Sequence, residues 1–480
     1  MHRNVEAAVI RLTLPKRAPE AAPGDRGTET KGGGTVAEKH NIEELLAKAD
    51  KPNQDAMRLH PFYKGKIAVT PKCRIRDFDD FAIWYTPGVA AVCKDIAAHP
   101  DKVFEHTNKG NMVAVVTDGT RVLGLGDIGP EAGMPVMEGK AILFKYLGGV
   151  DAFPICLDTK DPDEIIQAVK WLQPSFGGIN LEDFAKPKCF RILDTLREEM
   201  TIPVWHDDQQ GTACVTLAGL INAVKLVGKD KKTVKIAMVG AGASNIAISR
   251  VMIGDGFPAE NIIMCDSKGT LHKGRDDCKD QPEKWNMCVN SNGDQLVGDI
   301  PDAMKGADVL IALSKPGPGT IKPEWVASMA KDSIVFVCAN PVPEIWPWEA
   351  KDAGARIVAT GRSDFPNQVN NSLGFPGIFR GVLDVGASTI TDEMAIAAAH
   401  ELAACAEDKG LTDDYITPTM DEWEVFPREA AAVGMKAIEQ GLARITMTRD
   451  ELFEKSSAII KKAREETIVL MKNGLIEMGD

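Results

Sequence analysis

"KTVKIAMVGAGASNIAISRVMIGDG", residues 232–256, is the stretch that decides the fold. An apolar run ends at Val239, a glycine-rich turn follows, and a helical run opens at Ala243, so the segment reads as strand, turn and helix. Gly240 and Gly242 let the backbone turn tightly and approach a ligand closely. The first helical turn (Ala243, Ser244, Asn245) offers N–H groups and the positive end of a dipole, which together suit a pyrophosphate. A structural glycine turn is the competing reading. Asn245 stands where a third glycine usually allows close helix–strand packing, so the dinucleotide fingerprint is matched imperfectly.

Reading outward, the next strand in "NIIMCDSKG" closes on Asp266, the place of an acid that receives the adenosine ribose hydroxyls. Asp266 favours NAD. Lys268, His272, Lys273 and Arg275 follow closely and suit a 2′-phosphate, so the choice between NAD and NADP stays open. Further apolar runs at 307–319, 332–345 and 355–371, bounded by turn residues, alternate with helical segments. That alternation predicts a doubly wound parallel sheet. The expected class is α/β in two domains: a Rossmann-type NAD(P) domain over 211–385 and an α/β substrate and metal domain over 36–210. C-terminal helices follow over 386–480. "TACVTLAGLINAVKLVG" (212–228) reads as a buried connecting helix.

Before residue 210, Asn41 is the expected N-cap of a helix at "NIEELLAKAD". "NMVAVVTDGTRVLGLGD" (111–127) predicts a hairpin turning at Asp118-Gly119. "VDAFPICLDT" (150–159) predicts a buried strand, and 161–174 a helix capped by Asp161 with Pro162 in its first turn. At the other end, 448–474 predicts a helix with a capping box from Thr448 to Glu451, stopping at Asn473-Gly474. Leu452, Ile459, Ala463 and Ile468 are expected along its packing face. Within residues 1–35, "APEAAPGDRGTETKGGGT" (18–35) is rich in Gly, Ala, Pro and charge, with too few apolar side chains to pack. Residues 1–35 are expected to be a disordered tail or an untranslated upstream segment, with the start at Val36.

The net charge of −13 argues against a nucleic-acid partner. Ten cysteines without a C-x-x-C pair or zinc spacing read as reduced thiols of a cytoplasmic protein. No apolar run is long enough to span a membrane.

Two acidic pairs hold the chemistry. Glu182-Asp183 in "FGGINLEDF" and Asp207-Asp208 in "VWHDDQQGTACV" each follow a short apolar run. Together they make a hard oxygen site suited to Mg²⁺ or Mn²⁺; on spacing alone they need not meet. Lys140, in "GMPVMEGKAILFKYLGGV", is costly to bury without a partner, and near a cation it would lose its proton more easily. In "WYTPGVAAVCKDI", Tyr85 precedes a Pro-Gly turn that opens a helix.

Nine segments in order resemble the malic enzymes of the short, prokaryotic kind: "YTPGVA", "RVLGLGDIG", "GMPVMEGKAILFK", "FGGINLEDF", "VWHDDQQGTA", "VGAGASN", "ALSKPGPG", "CANPVPEI" and "QVNNSLGFPGIFRG". The likeness spans about residues 50–445. It implies that Glu182, Asp183 and Asp208 hold the metal, with Asp207 beside it on the catalytic lysine, Lys140. It implies Tyr85 as the acid that protonates C3, and Arg121, Asn340 and Asn371 as substrate and nicotinamide contacts. Ser314 joins Gly240, Gly242, Ala243, Ser244, Asn245, Asp266 and Lys268 in holding the cofactor. The implied reaction is oxidative decarboxylation of (S)-malate to pyruvate and CO₂ with NAD⁺ or NADP⁺, in a homodimer. Three rivals stand beside it: a malolactic enzyme with no net redox change, an amino-acid dehydrogenase of similar build, and a nucleotide-sensing module.

Overall fold

The structure, a computed structural model, describes residues 42–479. The expected tail or start over 1–35 and the Asn41 cap lie outside the described residues. The chain divides into two units, Met1–Arg58 and Leu59–Asp480. Within the first, the helix Ile42–Tyr63 begins. The second carries both sheets and everything below.

The first sheet has four parallel strands: β1 (Met112–Thr117), β2 (Asp151–Cys156), β3 (Gly178–Leu181) and β4 (Val204–His206), in the order β2-β1-β3-β4. The second has six: β5 (Ile236–Val239), β6 (Ile262–Asp266), β7 (Gly269–Thr270), β8 (Val309–Ala312), β9 (Ser333–Val337) and β10 (Ala355–Thr360). Their order is β10-β9-β8-β5-β6-β7, all parallel except the short β6–β7 pair. The strand order reverses between β5 and β8, which puts a crevice at their carboxyl ends. Helix Thr212–Leu226, buried along most of its length, joins the sheets as its apolar sequence requires. The α/β class, with a Rossmann-type sheet and C-terminal helices, is what the alternation predicted.

Three expectations need correction. The hairpin at 111–127 does not form: β1 is a central strand with parallel partners on both sides, so no edge is left for an antiparallel return. The chain after Asp118 is instead a glycine-rich loop with one isolated bridge, Val122 to Gly126. Strand β2 is only half-buried, because it lies at the sheet edge; Pro154 within it fits an edge, where a missing N–H is harmless. In helix Arg449–Lys472 Leu452 and Ala463 are buried as read, Ser456, Ser457 and Ile460 join them, and Ile459 and Ile468 are only partly buried beside that line. The capping box at Thr448 and the Asp161 cap form as read.

Helix Pro130–Gly148 packs over the first sheet, and helix Phe375–Asp384 packs on it through Phe144, whose ring lies 4.6 Å from Phe375 and 5.1 Å from Phe379. Fully burying one such ring contributes about 1.5–3 kcal/mol. The last helix covers the same element: a Cβ at Gly149 would meet Ile459 at 2.6 Å. All ten cysteines are unpaired, seven of them buried. Among the described residues no helix is long and apolar enough to cross a membrane.

Candidate active site

The acidic pairs meet because β3 and β4 are parallel neighbours. Leu181 pairs with His206, so Glu182-Asp183 and Asp207-Asp208 leave adjacent strands at the same end. Carboxylate oxygens of Glu182, Asp183 and Asp208 lie within 4.8 Å of one another. Asp183 has a left-handed backbone (φ 59°), uncommon for a residue with a side chain. Its N–H donates to Asp208 Oδ2 at 2.8 Å, and its own Oδ2 is buried without a partner. Three hard oxygens converging, one of them buried and unsatisfied, fit a divalent cation. Strand alternation supplies two supports: Asn180 donates to Glu182 Oε2 at 2.9 Å and Trp205 Nε1 to Asp207 Oδ1 at 3.1 Å, each from two residues earlier on the same face.

Lys140 enters this cluster from helix Pro130–Gly148. Its Nζ donates to Asp207 Oδ2, lies 3.2 Å from Glu182 Oε1, and sits 4.6 Å from the centre of the Phe375 ring. Burial disfavours the ammonium, but the carboxylates of Asp207 and Glu182 outweigh it, so the pKa is raised. The groups that face Lys140 here are anions; the loosening expected from a neighbouring cation concerns the same cluster with a divalent ion among its carboxylates. Burial pushes the carboxyls of Glu182 and Asp207 upward, and Asp183 to about 8, with the Asp208 charge adding to each.

The loop 118–129 rims the cluster. Arg121 donates its backbone N–H to the Asp183 carbonyl at 2.9 Å, while its side chain is exposed. Asn371 adjoins the wide turn at Asp207–Gly211: a Cβ on Gly211 would lie 2.0 Å from Asp207 Oδ1 and 3.1 Å from Asn371 Cβ. Asn340 is exposed, and its carbonyl oxygen would lie 3.1 Å from a Cβ on Gly124 of the rim loop. Tyr85 is not brought to Lys140: it is 72% exposed, and no hydrogen bond ties its hydroxyl to the cluster.

The second sheet presents its carboxyl edge to the same region. Ser244 Oγ donates to the Asp208 carbonyl at 2.9 Å, tying the helix Ala243–Gly254 to the acidic turn. Gly240 (φ 101°) must be glycine, since a Cβ would lie 2.4 Å from the Leu313 carbonyl oxygen. Gly242 faces open space and leaves the helix N-terminus without a side-chain cap. Free N–H groups beside an open glycine fit a dinucleotide pyrophosphate. Asn245 does not face that space. It is fully buried, and its amide donates to the Val239 and Gly240 carbonyls at 3.0 and 2.7 Å, so it holds the turn from inside.

Asp266 is more occupied than a free ribose acceptor. Arg275 donates to both its oxygens at 3.0 and 2.8 Å, Lys284 at 2.9 Å and the Lys268 N–H at 2.9 Å. Burial works against its charge, but these partners hold its pKa low. Among the cations expected to suit a 2′-phosphate, Lys268 points to Asp277 instead. Lys284 was not singled out in the sequence, because nothing in its spacing reveals that its helix crosses to Asp266. Lys186 was missed for the same reason; its Nζ lies 3.5 Å from the Ala241 carbonyl oxygen.

Comparison with known proteins agrees with this architecture. The profile "Malic enzyme, N-terminal domain" matches residues 64–197, and "Malic enzyme, NAD binding domain" matches 209–438. The bifunctional malic/malolactic enzyme of Bacillus subtilis (strain 168) is 50% identical over 407 residues, covering 84% of this chain and 97% of that one.

The chain belongs to the malic enzyme family.

The NAD-dependent malic enzyme of Geobacillus stearothermophilus is 50% identical over 380 residues, 79% of this chain and 78% of the relative. The crystal structure of the Entamoeba histolytica malic enzyme superposes with a TM-score of 0.89 at 50% identity, covering 92% of this chain and 93% of that one. This malic enzyme is therefore an oxidoreductase with a nicotinamide-dinucleotide-binding domain built on the second sheet.

Proposed function

We propose that the chain converts (S)-malate to pyruvate and CO₂ by metal-dependent oxidative decarboxylation, with NAD⁺ or NADP⁺ taking the hydride. The observation that carries this reading is the buried Lys140–Asp207 pair set among three converging carboxylates, one hydrogen bond from the dinucleotide helix. Glu182, Asp183 and Asp208 would hold Mg²⁺ or Mn²⁺. When bound, such an ion supplies Lewis acidity to a 2-hydroxy acid and to the enolate left by CO₂ loss.

The remaining work falls to the chain. Lys140 takes the substrate hydroxyl proton, and Asp207 fixes its Nζ for that transfer. Arg121 swings its guanidinium from the rim onto a substrate carboxylate, where a planar fork suits a planar anion. Asn340 and Asn371 orient substrate and nicotinamide. Tyr85 returns a proton to C3.

Tyr85 stands on a segment that needs a cover. Phe78 is 90% exposed, Ile75, Ile83 and Trp84 are exposed, and helix Val89–Ala98 buries no residue. Apolar surface of this extent marks an interaction face. We read it as the face of a homodimer whose formation carries Tyr85 to a Lys140. Mixing Tyr85→Phe with Lys140→Ala chains tests the pairing: activity regained above either variant alone places the two groups on different chains. No recovery places them on one.

The Bacillus subtilis relative is named for both activities, so a second reading stands beside the first, in which the hydride returns to pyruvate and lactate leaves. One assay separates the two. With malate, Mn²⁺ and NAD⁺ or NADP⁺, an EDTA-sensitive rise in reduced-nicotinamide absorbance supports the first reading. Lactate without that rise supports the second, and no product at all refutes both.

A further inference from the structure

We propose that Glu344 is a positioning residue that builds the nicotinamide half of the cofactor cleft by clamping the loops that follow β8 and β9. The inference rests on the dinucleotide reading of that cleft. Glu344 belongs to "CANPVPEI", yet neither the metal cluster nor the pyrophosphate turn uses it. Its side chain is fully buried. One carboxylate oxygen accepts the Ser314 N–H at 2.9 Å and the Ser314 hydroxyl at 3.3 Å; the other accepts the Ala339 N–H at 3.1 Å. All three partners are donors, which is the set an ionised carboxylate requires. Burial raises its pKa and these donors oppose the rise.

The two clamped residues each lie two positions past a strand end, Ser314 after β8 and Ala339 after β9. Backbone bonds reinforce the clamp: the Gly317 N–H donates to the Val342 carbonyl at 3.2 Å, and the Ile321 N–H to the Glu344 carbonyl at 3.1 Å. Adenosine belongs on the β6 side and pyrophosphate at β5, so the other half of a dinucleotide extends past the switch point over β8 and β9. Ser314 stands beside the fingerprint turn, its Cβ 3.2 Å from where a Cβ on Gly240 would stand, and leads away from it toward the nicotinamide half. Glu344 thus acts through Ser314 and Ala339 without touching the open cleft. Gln at this position keeps the shape but turns one amide NH₂ toward a donor, and Asp is too short to reach both loops.

The test compares probes that carry and lack the nicotinamide. Titration calorimetry with NAD⁺, NADP⁺ and ADP-ribose is run on the parental chain, Glu344→Gln and Glu344→Asp. The expected result is dinucleotide binding weakened about tenfold in Glu344→Gln, more in Glu344→Asp, with ADP-ribose within about twofold of the parental value. Equal weakening of all three probes, or no weakening, overturns the proposal. If the parental chain binds none of them, the dinucleotide reading falls and this one with it. Hydrogen exchange on the parental chain keeps the question open to refutation should the variants fail to fold: the Ser314 and Ala339 amides are expected to be strongly protected, and rapid exchange at either overturns the clamp.

Discussion

At the ends of β3 and β4 the chain sets four carboxylates around one lysine, nearly all out of water. At the ends of β5 and β8 it sets glycines, free helix N–H groups and backbone carbonyls, with charges kept to the flank at Asp266. The first edge works through side-chain charge and the second through backbone shape. A substitution at the first edge removes the acting group itself. At the second it bends a surface that many groups share, so the loss is graded.

The largest expected effect is at Lys140. Replacing it with alanine removes the proton acceptor, and kcat for malate oxidation is expected to fall about a hundred- to ten-thousand-fold. A raised KM with kcat unchanged would place Lys140 in binding. Asp208→Asn comes next: it keeps the Asp183 N–H acceptor but removes a charge, and Mn²⁺ affinity measured by titration is expected to drop about a hundredfold. Unchanged Mn²⁺ affinity would break the contrast at its acidic end. At the other edge, Gly240→Ala is expected to lower stability by about 1–3 kcal/mol in chemical denaturation, because alanine at that positive φ is strained and collides with Leu313.

Asp266→Ser tests the charged flank. It frees Arg275 and Lys284 for a 2′-phosphate, and the ratio of NADP⁺ to NAD⁺ affinity is expected to rise about tenfold. A fall in that ratio would show that the cations serve only to hold the carboxylate.

The last effect, smallest near pH 4 and growing with pH, separates burial from function. Glu429 is fully buried, with neither oxygen hydrogen-bonded and Glu401 adding like charge, and burial holds its pKa well above the usual value of 4.5. Burial thus favours its neutral form in the folded chain, and the cost of folding it grows as pH rises above the unfolded pKa. Glu429→Gln needs no proton. Its unfolding free energy relative to the parent, from chemical denaturation, is expected to match near pH 4 and to rise toward pH 8, by about 1.4 kcal/mol at most per pH unit. A difference independent of pH would refute the protonated state.

The parts legible in the sequence are those written in local pattern. Strand–turn–helix at 232–256 and the two acidic pairs could be read because period, glycine spacing and like charges side by side are local signals. That the pairs meet was legible only through the resemblance, since it depends on β3 and β4 being neighbours. Asn180 and Trp205 were within reach, each two residues before the carboxylate it supports. Glu344, Lys284 and Lys186 were not, because each acts across a crossover that spacing does not encode. The hairpin at 111–127 was misread because an Asp-Gly turn after a strand looks the same whether or not a sheet edge is free to take the return.

The covering of helix Pro130–Gly148 by helix Arg449–Lys472 has a consequence for synthesis. The residues that support the Lys140-bearing helix come far later in the chain than that helix itself. A growing chain has all of its acidic residues long before it has that support. The pocket's framing helix is therefore covered only after that later helix has been made, and chains cut short near residue 450 would carry every chemical group of the site on a helix with one side bare.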